Sequence, residues 1–394
     1  MSAEHRWIWQ VPSWPKFVLH ESALTSPLRQ ARAAQGRLFG KAEAVGADEL
    51  TIVQRDVWTA EAVATAAIEG EQLNLESVRS SVARRLGIAS TFVAAVPRNV
   101  EGLLDVMEDA AADWDSELTD GRLFRWQAAL FPTGYSSLRT VATGCYRTHI
   151  EPMQIVSGPV GKPTVHYEGP PSAAVRAEMT NFLDWFNRTR TDPAIDGIVR
   201  AALAHVWFES IHPFEDGNGR VGRAVVDMAL AQDARVPYRV HGMSSELRRR
   251  QEAYYEALNQ AQRGDGDVTS WVAWFVDAFA SACQDSGSLI DDALTRARFW
   301  ARHSQTALNE RQRKVLNRML EAGPGNFEGG MTPRKYTGLT RAPGITASRD
   351  LAYLVAQGLF VREGAGRSTH YNLAIPGWAW TAPARKPKRT AARG

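Results

Sequence analysis

Pro213 and two glycines, Gly217 and Gly219, fall between two stretches of helical period, and they fix what the middle of this chain can become. Before them, Ile195, Ile198, Val199, Ala202, Leu203 and Val206 recur at helical spacing, and residues 224–230 resume as a helix. A proline disfavours α geometry in the residue before it, so the first helix must end and leave the His212 imidazole on a loop. Glycines permit a close approach or a backbone conformation that other residues resist, which suits an abrupt start to the second helix. The chain is thereby directed to a helix, a short loop and a second helix, with a histidine at the first joint.

The same run, Ile211-His212-Pro213-Phe214-Glu215-Asp216-Gly217-Asn218-Gly219-Arg220-Val221-Gly222-Arg223, carries chemistry. Free N–H groups at a glycine-rich helix start form an anion nest, and Arg220 and Arg223 add cationic donors three residues apart on one face. Asp216 at the mouth is placed to hold a divalent cation whose shell phosphates would complete. The parts describe a polyphosphate site beside a loop histidine whose ordinary pKa suits proton abstraction near neutrality. Taken singly each has a plainer role: a lone histidine is usually structural, and an Asp-Gly-Asn-Gly run is usually a turn. The combination selects the chemistry.

At 394 residues the chain exceeds one ordinary core, and helical pattern dominates it. The expected fold class is mainly α. Residues 1–95 form an amino-terminal domain that opens with the aromatic cluster Trp7, Trp9, Trp14 and Phe17. It continues with a helix at about 56–70, capped by Asp56 or Thr59 and stopped at Gly70. Residues 96–285 form a central helical domain in which Asp192-Pro193 caps the helix before His212. Its strand signal is a small hairpin between Ile155 and Tyr167, broken by Gly and Pro. Residues 286–382 hold a linker helix, three short helices and a hairpin, the pattern of a winged helix-turn-helix. Asn309 to Gln312 reads there as a capping box and Thr332-Pro333 as a helix start. Residues 383–394 are a basic, disordered tail.

Composition narrows the class. The hydrophobic share is 44% and the charged share 23%, those of a globular protein. The net charge is +3, but the last ten residues hold five basic groups and no acid, so without those five the remainder stands at −2. Global charge therefore does not argue for a nucleic-acid binder. Cys145 and Cys283 have no metal-ligand or disulfide spacing. The start lacks a long apolar segment, and the apolar stretch 271–282 is interrupted by Asp277 and too short to cross a bilayer. No membrane partner and a cytoplasmic location are the expectations.

The run from His212 to Arg223 resembles the signature of the Fic (filamentation induced by cAMP) family, His-Pro-Phe-x-Asp-Gly-Asn-Gly-Arg-x-x-Arg, at all nine fixed positions. The resemblance covers the middle block and makes 96–285 the catalytic domain. It implies a protein adenylyltransferase. His212 would deprotonate a Tyr, Thr or Ser hydroxyl of a target protein, which attacks the α-phosphorus of ATP. Asp216 would bind Mg²⁺, or Mn²⁺, bridging the α- and β-phosphates. Asn218 and the amides of Gly217 and Gly219 would hold the transferring phosphate, while Arg220 and Arg223 take the β- and γ-phosphates and Phe214 anchors the loop. The hairpin, through Ile155, Val156, Val165 and His166, resembles the family's target-docking flap, and Tyr255 and Gln262 lie where relatives contact adenine.

Thr65-Ala66-Ala67-Ile68-Glu69-Gly70 resembles the family's inhibitory motif, in the class that carries its inhibitory helix amino-terminal to the signature and a winged helix at the far end. Thr65 and Glu69 are i and i+4 on one helix face. The resemblance implies that Glu69 pairs with Arg223 and misaligns ATP, in cis or across a homodimer. Three alternatives stay open. Glu69 could orient water to remove AMP from a modified target. The site could transfer UMP or phosphocholine, or phosphorylate. Or the winged helix could bind DNA through Arg334, Lys335, Arg341, Arg349, Asp350 and Arg367, making the protein a transcriptional regulator.

Overall fold

The computed structural model describes residues 6–88, 96–136, 138–157, 164–236 and 240–380, apart from the side chains of Asp48 and Arg367. The turn of the expected flap (158–163), the basic tail (383–394) and the Arg367 side chain thus lie outside the described residues. Contacts divide the chain into two compact units, residues 1–289 and 290–394. The first holds both blocks read from sequence as 1–95 and 96–285.

In the first unit α1 (Glu21–Ala44), α2 (Ala47–Ile68) and α3 (Leu75–Arg85) come from the amino-terminal block. There follow α4 (Arg98–Ala112), α5 (Asp120–Leu130), strands β1 (Tyr135–Ser136) and β2 (Arg139–Thr140), then β3 (Gln154–Ser157) and β4 (Thr164–Glu168). Next are α6 (Ser172–Arg188), α7 (Gly197–Ile211), α8 (Asn218–Ala234), α9 (Met243–Arg249), α10 (Gln251–Gln262) and α11 (Thr269–Arg302), whose last residues belong to the second unit. Both strand pairs are antiparallel hairpins, and the second sets Ile155 opposite Tyr167 and Val156 opposite Val165 across an irregular step.

α7 buries every residue from Ile198 to Ile211, so its apolar positions run all the way round and it becomes the central rod of the unit. α8 packs along it. The aromatic start of the chain closes on this pair: Trp14 and Phe17 meet Trp207 edge-on, and Trp7 meets Tyr167 in the same way. Trp9 Nε1 donates to the Glu168 carbonyl at 2.8 Å, tying β4 to the amino terminus. α2 lies against α9. There Glu61, fully buried, accepts from the Ser244 and Ser245 amides at 2.7 Å each, a carboxylate at a helix start.

Two helix starts differ from the sequence expectation. α2 begins at Ala47, not near residue 56, because Val53 continues upstream the buried face that Val57 shares. Asp56 and Thr59 therefore sit inside the helix, where Asp56 accepts from Arg55 and Thr59 Oγ1 donates to the Arg55 carbonyl. α7 begins at Gly197, and Asp196 rather than Asp192 is its cap, accepting from the Ile198 amide at 2.8 Å. Asp192 folds its carboxylate onto the Ala194 amide instead, the local turn that an Asp-Pro pair favours.

The second unit contains α12 (Glu310–Ala322), α13 (Pro333–Thr340) and α14 (Gly344–Ala356), with the antiparallel hairpin β5 (Phe360–Glu363) and β6 (His370–Leu373). Asn309 and Gln312 form the capping box and Thr332 caps α13. Val315, Leu316, Tyr336, Leu351 and Leu354 are core. Asp350 points into that core and accepts from Tyr336 Oη at 2.8 Å and Gln312 Nε2 at 3.2 Å. Lys335 Nζ donates to the Gly330 carbonyl at 2.9 Å and to that of Glu328. The buried Asp350 is thus an internal tie, which corrects its reading as a phosphate contact; Arg334, Lys335, Arg341 and Arg349 are exposed.

Removing the Glu61 carboxylate would orphan the buried Ser244 amide and the half-buried Ser245 amide where α2 meets α9. Glu61→Ala is expected to cost about 2–3 kcal/mol, lowering the thermal midpoint by roughly 3–5 °C in a calorimetric scan. An unchanged midpoint would show that the contact between the two helices does not rest on it.

Candidate active site

α7 ends because His212 adopts a left-handed conformation (φ 50°, ψ 62°), with its amide still donating to the Phe208 carbonyl at 2.9 Å. That turn strands the last carbonyls of the helix in a buried place, and Arg147 satisfies them. Its Nε donates to the His212 carbonyl at 2.8 Å, and one terminal nitrogen donates to the carbonyls of Pro170 at 2.6 Å and Ile211 at 3.2 Å. The Arg147 amide donates to the Pro213 carbonyl at 2.9 Å. A cation capping a helix carboxyl end is favourable in charge as well as in hydrogen bonding. Arg147 carries no local sequence signal, since it lies 65 residues before the histidine it holds, and sequence reasoning missed it.

The loop closes onto α8 through Asn218. Its side chain accepts from the Phe214 amide and donates to the Phe214 carbonyl, both at 2.8 Å, while the Phe214 ring is fully buried. These two bonds use the Asn218 Oδ1 and one of the two N–H groups of Nδ2, so the side chain staples the loop while its second N–H and its backbone amide remain as donors. Gly217 caps α8 at φ 88°, and a Cβ there would lie 2.9 Å from the Phe131 ring, so glycine is needed for conformation and for space. The Gly217 amide donates to Asp216 Oδ1 at 2.6 Å, which removes it from the expected nest in this state. The first helix N–H with an intrahelical acceptor is that of Val221, which leaves the amides of Asn218, Gly219 and Arg220 pointing out of the helix start.

Arg220 and Arg223, both nearly buried, project from this first turn, and each meets a carboxylate from the end of α2. Arg223 donates to Glu69 Oε1 at 2.7 Å, to Thr65 Oγ1 at 2.7 Å and to the Thr65 carbonyl at 3.1 Å. Arg220 donates to Glu71 Oε1 at 2.6 Å and lies over the Phe131 ring. Gly70 between them takes φ 79°, turning the chain back after the helix. The absent side chain of Gly219 makes room for Glu69, since a Cβ there would come within 2.3 Å of Glu69 Oε1. Thr65, Glu69 and Gly70 thus gather on Arg223. Glu71, not singled out from the sequence, was signalled only by lying two residues beyond Glu69.

Burial raises the Glu69 carboxyl, but the charge and hydrogen bond of Arg223, with further pull from Arg220 and His212, outweigh it and bring it below its ordinary range. Burial lowers Arg223 and Glu69 more than restores it, so the guanidinium stays firmly charged. His212 is pushed down to about 4, first by burial and then by the positive charge of Arg147. It is therefore neutral at pH 7. Its Nδ1 faces Glu209, with Oε2 at 3.8 Å, and burial lifts the Glu209 carboxyl to about 8.

Asp216 is 38% exposed at its side chain, with Oδ1 3.7 Å from a terminal nitrogen of Arg220. It borders a cavity of about 770 Å³ lined also by Glu69, Glu71, Arg98, Phe131 and Arg220, a volume within the usual range for small-molecule sites. Among the described residues no cluster of three or more His, Cys, Asp or Glu side chains is placed to hold a metal ion. A single exposed carboxylate fits Mg²⁺, which commonly takes one or two protein oxygens and completes its shell with phosphates and water.

The other expected contacts are looser. Tyr255 is exposed, and its hydroxyl donates to the Ile68 carbonyl at 3.3 Å, against the end of α2. Gln262, two turns further along α10, is buried, with Nε2 lacking a partner among the described residues. Neighbouring Tyr254 is core and bonds His205 Nε2 at 2.8 Å. On the hairpin, Val156 is exposed, while Ile155, Val165 and His166 are half-buried. Arg263, just past α10, donates to the Val165 and His166 carbonyls, so β4 and the helix bearing Tyr255 and Gln262 are joined. No helix among the described residues is long and apolar enough to cross a membrane.

Comparison with known proteins places this geometry. Residues 7–88 match a domain of unknown function, DUF4172, and residues 117–230 match the Fic/DOC family. A probable protein adenylyltransferase of Aquifex aeolicus is 32% identical over 98 residues, 25% of this chain and 27% of that protein. Protein adenylyltransferase fic-1 of Caenorhabditis briggsae is 34% identical over 91 residues, 23% of this chain and 17% of that protein. The chain therefore aligns with no more than 27% of the length of these two relatives. A Fic family protein from Desulfovibrio desulfuricans shares the fold, with a TM-score of 0.50 at 21% identity, over 89% of this chain and 96% of that one. The loop of His212 and the helix start with Arg220 and Arg223 lie inside residues 117–230, the segment that matches the Fic/DOC family.

Proposed function

We propose that this chain is a Fic-type protein adenylyltransferase that moves AMP from ATP onto a Tyr, Thr or Ser hydroxyl of a protein target and is held in check by Glu69. One observation carries the reading: the left-handed turn at His212 leads within one short loop to the start of α8, whose first turn presents Arg220 and Arg223, each held by a carboxylate at 2.6–2.7 Å, so a base is followed directly by two anion-binding cations. His212, neutral and with Nδ1 turned to Glu209, offers Nε2 to the target hydroxyl. That oxygen forms its bond to the α-phosphorus as the bond to the β-bridging oxygen breaks, pyrophosphate departs with the electron pair, and the proton stays on His212. Arg220, Arg223 and the outward amides of α8 would hold the phosphates, so catalysis is positioning and charge stabilisation. Mg²⁺ or Mn²⁺ on Asp216, when bound, would neutralise the α- and β-phosphates. The hairpin bearing Ile155, Val156, Val165 and His166 would dock the target as an added strand, and Tyr255 and Gln262 would flank the adenine.

The brake follows from Arg223 having one guanidinium for two claimants. While Glu69 and Thr65 occupy it, a γ-phosphate cannot, and a small error in phosphate placement costs orders of magnitude in rate. The placement of the Glu69 carboxylate against Gly219, at the helix start that follows the His212 loop, also supports a second reading in which Glu69 orients water to remove AMP from a modified target; AMP release that vanishes in Glu69→Gly would establish it. The three helices and hairpin of the second unit we read as a winged helix, with Arg334, Lys335, Arg341 and Arg349 as its exposed cations.

Labelling of the protein by α-³²P-ATP is expected to rise about tenfold or more in Glu69→Gly, and to fall by about 10²–10⁴-fold when His212→Ala is added. Unchanged labelling in Glu69→Gly would remove the brake, and persistent labelling in the double variant would remove His212 as base.

The pH profile gives a separate check. The active form is deprotonated His212, so activity is present above its folded pKa and lost as pH falls through it. The acid limb of kcat/KM, which reports the free protein, is expected well below the ordinary histidine value of about 6.5 and towards the depressed value of about 4. A limb at or above 6.5 would mean that His212 is solvated.

A further inference from the structure

We infer that Glu71 is a second inhibitory carboxylate, which sequesters Arg220 from nucleotide phosphates while Glu69 sequesters Arg223. The inference rests on the nucleotide reading of this site and deepens its regulation. Two carboxylates separated by one glycine meet two arginines separated by one helical turn. Glu69 Oε1 and Glu71 Oε1 accept from Arg223 at 2.7 Å and from Arg220 at 2.6 Å. Residues three apart on a helix stand about 5–6 Å from each other. The left-handed Gly70 (φ 79°) lets both carboxylates reach that spacing from one chain end.

The Arg220 contact differs from an ordinary surface pair. Its side chain is 5% exposed while that of Glu71 is 38% exposed, so the guanidinium is largely desolvated and the carboxylate is its strongest neighbour. Asp216 Oδ1 stands further off at 3.7 Å, and Arg220 Nε has no hydrogen-bond partner among the described residues. Arg220, Asp216 and Glu71 all border the 770 Å³ cavity, so the pair is open to a ligand on that side. An anion that needs Arg220 must first displace Glu71, and its apparent affinity falls by the fraction of molecules in which Arg220 is free. Releasing Glu69 alone therefore leaves half of the clamp closed.

The test is calorimetric titration of ATP with Mg²⁺ into the full chain as wild type, Glu71→Gln, Glu69→Gly and the double variant, with Glu71→Ala as a second replacement. Glu71→Gln and Glu71→Ala are each expected to tighten ATP about 3–10-fold, and the double variant to bind more tightly than either single. Salt should weaken ATP binding more steeply once Glu71 is neutral, because Arg220 then faces phosphate rather than a carboxylate. Tightening in Glu69→Gly with none in either Glu71 variant would overturn the inference and leave the nucleotide reading standing. No binding in any of the proteins would remove both.

Discussion

The left-handed turn at His212 is the constraint on which the site depends, and a buried arginine makes it tenable. A helix that ends in the interior leaves carbonyls which water cannot reach. Arg147 takes those of Ile211 and His212 together with that of Pro170, so one guanidinium closes the end of α7 and fixes the direction of the chain that follows. Asn218 then staples the loop to the start of α8, and Gly217 supplies the left-handed cap where Phe131 leaves no room for a side chain. The histidine, the helix start and its two arginines are consequences of that closure. Burial pushes Arg147 down to about 10, which still leaves it charged at neutral pH.

Charge in this site is arranged as substitution. Arg220 and Arg223 are almost wholly withdrawn from water, and a desolvated guanidinium needs an anion beside it. The end of α2 supplies that anion twice, through Glu71 and Glu69. In the proposed reaction the phosphates of ATP would take over the same nitrogens, so bound nucleotide and bound α2 are alternative answers to one electrostatic demand. A ligand can shift such an equilibrium only by its differential affinity for the two states. The grip on α2 is therefore set partly by distant contacts such as that of Glu61 with α9.

Much of this was legible in the sequence where the signal is local. Pro213 after His212, the glycines at 217 and 219 and the paired arginines describe their own geometry, and Thr65 and Glu69 lie on one face because of helical period alone. Helix starts were less legible: Asp56 and Thr59 look like caps, yet Val53 and Val57 carry the helix past them. Asp192-Pro193 looks like a helix opening, yet Asp196 holds the amides. The resemblance implied a phosphate role for Asn218, but the bonds that staple its side chain to Phe214 were not legible in the sequence. Arg147 and Glu61 were unreadable because their partners lie 65 and more than 180 residues away.

The central claim is that His212 and the start of α8 serve one nucleotide, and a crystal structure of Glu69→Gly with a non-hydrolysable ATP analogue tests it directly. The account predicts the analogue's terminal phosphates on Arg220 and Arg223, with His212 Nε2 facing the in-line side of the α-phosphorus opposite the leaving pyrophosphate. Phosphates bound away from those arginines, or an α-phosphorus that His212 cannot approach, would contradict it.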